Sequence, residues 1–173
     1  MQKSPITILG INPGAKYLGI AVFRGPELRD WRVKVTKGKW SALKYRKTIE
    51  ILSDFIEQYR PDVLAVKRLD PARSSAGLDR LVEKIIALSG KQGIEVYRYE
   101  IKELEAYFQA EGRSNKRKMA EIIAAEYPAL HGELNLERSN KNPYHLRMFE
   151  AVALGAVCFH ELDNSERSKH VPS

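Results

Sequence analysis

The segment Ile6–Ile11 is a continuous apolar run that stops at Asn12-Pro13-Gly14, and a second run, Tyr17–Phe23, begins a few residues later. An unbroken apolar stretch closed by a turn-forming tripeptide predicts a strand buried on both faces, followed by a tight turn. Such a strand belongs in the middle of a sheet that is covered from both sides. Gly25-Pro26 breaks the second run. Beyond it Leu28, Asp30, Arg32 and Lys34 alternate with Arg29, Trp31, Val33 and Val35, which predicts a third strand with Trp31, Val33 and Val35 inward. The three strands form an antiparallel meander.

The period then changes. Ile49, Leu52, Ile56 and Tyr59 make one stripe of an amphipathic helix that ends at Arg60-Pro61. Asp62–Lys67 reads as a short buried strand. Leu78, Leu81, Ile85 and Leu88 stripe a second helix closed by Gly90 or Gly93, and Ile94–Tyr99 is the next strand. Helices are expected over Ile101–Ala110 and Asn115–Tyr127, then a polar loop over 128–143. A final helix carries Leu146, Phe149, Ala153, Ala156 and His160 on one stripe. The order predicts an α/β domain over 1–163: a mixed five-stranded sheet, three strands antiparallel and two parallel, with helices on both faces. Residues 164–173, rich in Ser, Arg, Lys and His, are expected to be a flexible tail.

Composition narrows the class. A 43% hydrophobic share builds a real core, so the 29% charge does not signal disorder. No apolar run approaches the roughly 20 residues of a membrane span, and no signal-like segment opens the chain, so no membrane partner and a cytoplasmic location are expected. The single Cys158 has no disulfide partner, and no Cys/His cluster has zinc-ligand spacing. The 29 Lys and Arg against 22 Asp and Glu favour a polyanionic partner.

Several residues stand where chemistry is done. Asn12 closes a central strand at its carboxyl end, where open α/β sheets bind ligands, although Asn-Pro-Gly also makes a plain turn. Lys67 ends another strand, where a lysine also simply reaches solvent. Glu150 lies early in the last helix, where an acid also suits the helix dipole. Arg113, Lys116, Arg117 and Lys118 crowd a helix start that would ordinarily prefer anions, an arrangement suited to phosphate or to a solvated basic face. Lys37, Lys39, Lys44, Arg46 and Lys47 interleave with Trp40 and Tyr45, a pattern suited to a backbone groove with base stacking.

Four segments in order form a larger pattern: ITILGINPGAKYLGIAVF, PDVLAVKRL, IEVYRYEIKELEAYFQAEGRSNKRKMAEII and RMFEAVALGAV. Together, over about Ile6 to Phe159, they resemble the RuvC-like, Holliday junction resolvase-like branch of the ribonuclease H-like superfamily. The first is similar to a block that normally reads apolar-x-Asp-x-Gly-x-x-x-x-Gly, and the second to a strand ending in a catalytic Glu. The third resembles a tyrosine-ending strand, a helix, a glycine turn and a Lys-bearing helix start. The fourth resembles a closing helix in which Asp precedes Ala-x-Ala-Leu. The resemblance implies the ribonuclease H-like fold and a site where three or four carboxylates hold two Mg²⁺ ions for phosphodiester hydrolysis.

This chain departs from that pattern. The first Asp position is Asn12, the Glu position is Lys67 and the final Asp position is Glu150, with His145 and Arg147 near the place of a further acid or His. An ammonium about 4 Å from a divalent ion is repelled by roughly 8 kcal/mol at an effective dielectric of 20, before screening and side-chain retreat. Asp70, the nearest further acid, sits in the loop after Lys67. The expectation is a degenerate RuvC-like domain that binds branched or duplex DNA without cutting it and without a cofactor. Lys67, Lys102, Arg113, Lys116 and Arg117 would contact phosphates. Asn12, Lys67 and Glu150 should converge, with the Lys67 ammonium paired to Glu150 or held near Asn12. The alternatives are a structure-selective endonuclease using Mg²⁺ or Mn²⁺, or a disabled copy of one, and a protein-interaction module that keeps only the fold. The resemblance leaves a homodimer open and marks no face for it.

Overall fold

The computed structural model describes residues 4–109, 115–139 and 144–169. Strands β1 (Thr7–Asn12), β2 (Tyr17–Arg24) and β3 (Glu27–Val35) form the expected meander. Helix α1 (Ala42–Tyr59), β4 (Val63–Lys67), α2 (Ala76–Lys91) and β5 (Glu95–Tyr99) follow. The chain then turns helical: α3 (Ile101–Tyr107), α4 (Asn115–Glu126), a 3₁₀ turn (Pro128–Leu130), α5 (His131–Ser139) and α6 (Tyr144–Lys169). The sheet order is β3-β2-β1-β4-β5, with β1–β2 and β2–β3 antiparallel and β1–β4 and β4–β5 parallel.

Local chemistry places the helix ends. Ser41 and Ser75 cap α1 and α2 by accepting the N–H groups of Lys44 and Leu78. Arg60 leaves α1 in a left-handed conformation, and Pro61 cannot continue the helix.

Strand periodicity divides the core. Leu9, Ile11, Leu18, Ile20, Val22, Leu64 and Val66 point to the α1/α2 side. Ile8, Ala21, Phe23, Val63, Ala65 and Tyr99 point to the side of α3–α6. Because successive strand residues alternate faces, Asn12 and Lys67 also point toward α6.

Several local expectations are corrected. A bulge at Val22/Phe23 pairs Phe23 with Leu28 and Ala21 with Trp31, so Leu28 joins Trp31 and Val33 on the core side. Val35 is 53% exposed at the strand end rather than inward. Residues 131–139, expected as loop, form α5, anchored by buried Leu130 and Leu134. Helix α3 stops at Tyr107, and Gln109 turns into the left-handed region. Helix α6 is buried on every side over 148–158, not along one stripe, because the sheet, α4 and α5 all pack on it. It continues past Asn164 to Lys169. Among the described residues no helix is long and apolar enough to cross a membrane.

Candidate functional site

Helix α6 lies unusually close to the meander. A Cβ on Gly10 would overlap the Ala151 carbonyl, and one on Gly19 would overlap the Arg147 carbonyl. Only glycine permits that approach, and it brings Arg147 and Glu150 onto the strand ends. The parallel register Ile11↔Val66 sets Asn12 beside Lys67 at the carboxyl edge.

The three residues meet there. Asn12 Nδ2 donates to Glu150 Oε2 at 2.6 Å, across 138 residues of sequence, and to the Arg147 carbonyl at 3.2 Å. Lys67 Nζ donates to the same Oε2 at 3.0 Å. Lys116 Nζ, from the first turn of α4, stands 3.2 Å from Oε1. That oxygen has no well-directed hydrogen bond, so the Lys116 contact is ionic in character. Asn12 Oδ1 is likewise buried without a donor among the described residues. The Arg147 guanidinium lies over Gly14, in the turn that follows β1.

The Glu150 side chain is 3% exposed. Burial alone would push its carboxyl up, but Lys67, Lys116 and Arg147 outweigh it and hold the group below the usual carboxylate range. The Lys67 ammonium is pushed down from the usual lysine value, by burial first and also by Lys116 and Arg147, against the pull of Glu150. The partners therefore move in opposite senses for stability. Glu150 shows that its anion is favoured here, and the 3.0 Å contact makes Lys67–Glu150 an ion pair.

The chain superposes on Thermus thermophilus RuvC, solved in complex with a Holliday junction substrate, at a TM-score of 0.69 and 17% identity, covering 92% of this chain and 97% of that one. The fold is RuvC-like. The yeast mitochondrial Holliday junction resolvase gives a TM-score of 0.66 at 14% identity, covering 95% of this chain and 85% of that one. Fowlpox virus resolvase, solved with Holliday junction DNA, gives 0.62 at 14% identity, covering 91% and 99%. No sequence-family profile matches the chain, nor does any curated protein sequence.

Other expected residues scatter around this RuvC-like core. Lys102 is exposed on the first turn of α3, and Arg117 is exposed on α4 and engaged by other groups. Arg113 lies outside the described residues. Asp70 is exposed and accepts the Ala72 N–H, shaping its own loop. His145 is buried, and its Nδ1 lies 2.9 Å from Glu133 Oε2 on α5. The polar composition of 128–143, which predicts a loop, gives no signal of that partner. Arg147 stands one helical turn before Glu150, a spacing that makes the two neighbours on a helix.

Proposed function

We propose that this chain is a catalytically degenerate RuvC-like domain that binds DNA, branched or duplex, without metal-dependent cleavage. The observation that carries this reading is the Lys67–Glu150 ion pair in the cluster at the carboxyl edge of β1 and β4. One buried carboxylate there faces three cations, Lys67, Lys116 and Arg147. In the RuvC-like resemblance these strand ends are the metal-ligand positions.

A divalent ion does not fit these side chains. Mg²⁺ demands an octahedron of hard oxygens, usually with more than one negative ligand among protein and substrate. Here Asn12 turns its amide N–H₂ toward Glu150, and ammonium groups stand 3.0 and 3.2 Å from the two carboxylate oxygens. Lys67 supplies internally the positive charge that a metal would bring.

The same cations suit a phosphodiester. The Lys116 side chain is half exposed and Arg147 half-buried, so both present charge to a ligand crossing this edge. Phosphate contacts of this type position a nucleic acid without reading its sequence. Two of the similar structures are complexes with Holliday junctions, which makes four-way DNA the first partner to test.

The test is a mobility-shift and cleavage assay on labelled four-way junction, flap and duplex DNA with Mg²⁺ or Mn²⁺. A salt-sensitive complex without product is expected, and its stoichiometry reads how many copies bind. Cleavage abolished by Glu150→Gln would establish an active nuclease instead. Failure to bind any nucleic acid at low salt would leave a protein-interaction role for the fold.

A further inference from the structure

A second positively charged feature lies on the same edge of the sheet and takes no part in the Lys67–Glu150 cluster. It is a cleft of about 550 Å³ between the β1–β2 turn and the segment joining β3 to α1. Four lysines, Lys16, Lys37, Lys39 and Lys44, line it, and no acidic side chain does.

Those lysines are not equivalent. Lys44 is 8% exposed, and its Nζ donates to the Ala15 carbonyl at 2.6 Å and the Gly38 carbonyl at 2.7 Å. It also sits 4.1 Å from the centre of the Trp40 ring. Its donors are spent on joining the two walls, so it braces the cleft. Lys16, Lys37 and Lys39 are exposed, and none is in an ion pair with a described residue. Lys16 is fixed through its backbone, whose carbonyl accepts the Thr36 N–H at 2.8 Å.

The aromatic groups are already engaged. Trp40 stacks on Tyr45 with centroids 5.2 Å apart, and a Cβ on Gly77 would run into the indole. Tyr17 meets Tyr144 edge to face at 5.6 Å. The base stacking expected from the interleaved lysines and aromatics therefore has no free ring in this cleft. What remains is exposed positive charge on a frame braced by Lys44.

Exposed, well-hydrated ammonium groups hold a single phosphate weakly, whereas a polyanion adds their contributions through counterion release. Ala15 follows directly on Gly14, over which Arg147 lies, so the turn is a wall shared with the cluster at Glu150. We propose that this cleft is a second docking point for a nucleic-acid backbone, holding phosphates through Lys16, Lys37 and Lys39 and reading no bases. The inference extends, and rests on, the reading of the chain as a DNA-binding domain.

The experiment compares the unmodified chain, Lys16→Ala/Lys37→Ala/Lys39→Ala, and Arg24→Ala/Arg29→Ala/Lys91→Ala, which removes equal charge from the opposite end of the sheet. Fluorescence anisotropy with labelled duplex and four-way DNA is recorded across a salt series, with polyglutamate as a second polyanion. The cleft variant should bind DNA roughly tenfold or more weakly, and its log–log salt slope should be shallower by about 2.7, at about 0.9 per lost contact. The loss should be equal for unrelated sequences, and the control variant should lose much less. Unaltered slope and affinity in the cleft variant, while the unmodified chain binds DNA, would reject the cleft alone. So would equal losses in both variants, or a loss confined to polyglutamate. No binding by the unmodified chain would reject the DNA-binding reading and the cleft's role with it.

Discussion

At the residue scale, Glu150 decides the behaviour of the site. Its folded pKa lies below the ordinary carboxylate value, so its stabilisation is complete above the unfolded value and is lost as pH falls through the folded one. Lys67 has the opposite linkage. Its lowered pKa costs stability at neutral pH, and that cost is relieved as pH rises from the folded value toward the ordinary lysine value of 10.5. Removing one member of a buried pair strands the other, at about 3–5 kcal/mol. Lys67→Met should fall near about 3 kcal/mol, because Lys116 still faces Glu150. Urea unfolding at pH 7 and at pH 4 checks this: the loss should shrink in acid, where the stranded carboxyl takes a proton. Equal losses at both pH values would refute the pairing. A second prediction concerns metal. Neither Asn12→Asp nor Lys67→Glu alone should give measurable Mn²⁺ binding by calorimetry. Together they should, non-additively, because the two changes share one site.

At the element scale, α6 is positioned by what the meander lacks. Gly10 and Gly19 let helix backbone rest on strand backbone, and neither side can yield to an added methyl group. Gly19→Ala should cost about 3 kcal/mol, the upper end for overpacking, and should move Arg147 and Glu150 together. Gly90 offers the contrast. It lies exposed in α2 with nothing within 4 Å of an added Cβ, so Gly90→Ala should stabilise by about 0.5–1 kcal/mol. Thermal unfolding of both variants separates the two effects by sign. Helix α5 shows the converse dependence. Its sequence HGELNLERS is polar enough to read as loop, and it is held by Leu130 and Leu134 underneath and by the Glu133–His145 contact to α6.

At the scale of the whole molecule, the topology gathers charge at one edge. The parallel partners β1 and β4 end beside each other, and the β1–β2 turn and the starts of α1, α2 and α4 lie around them. Association with DNA should therefore weaken linearly in log salt. Lys116→Ala/Arg117→Ala should flatten that slope by less than the about 1.8 expected for two fully available contacts, because Lys116 is already engaged by Glu150 and Arg117 by other groups. Titrations at several salt concentrations read this directly. A full drop of about 1.8 would mean that both side chains leave those partners on binding.

The amino-acid order by itself determined the strands, most helix boundaries and the mixed sheet. Apolar runs, the Arg60-Pro61 stop and the change of period from two to 3.6 are local signals that survive without a partner. Asn12, Lys67 and Glu150 were legible as strand-end and helix-start positions, and their convergence followed from the four ordered segments. Tertiary structure alone decided the rest. The bulge that turns Leu28 inward, the helical state of 131–139 and the complete burial of α6 each depend on a surface supplied by distant residues. So does the engagement of Trp40, whose ring is covered by Tyr45, Lys44 and Gly77. The link from Lys116 to Glu150 belongs with them, because it exists only once α4 and α6 share one face of the sheet. Local pattern encodes which way a side chain points, and only packing determines what it then touches.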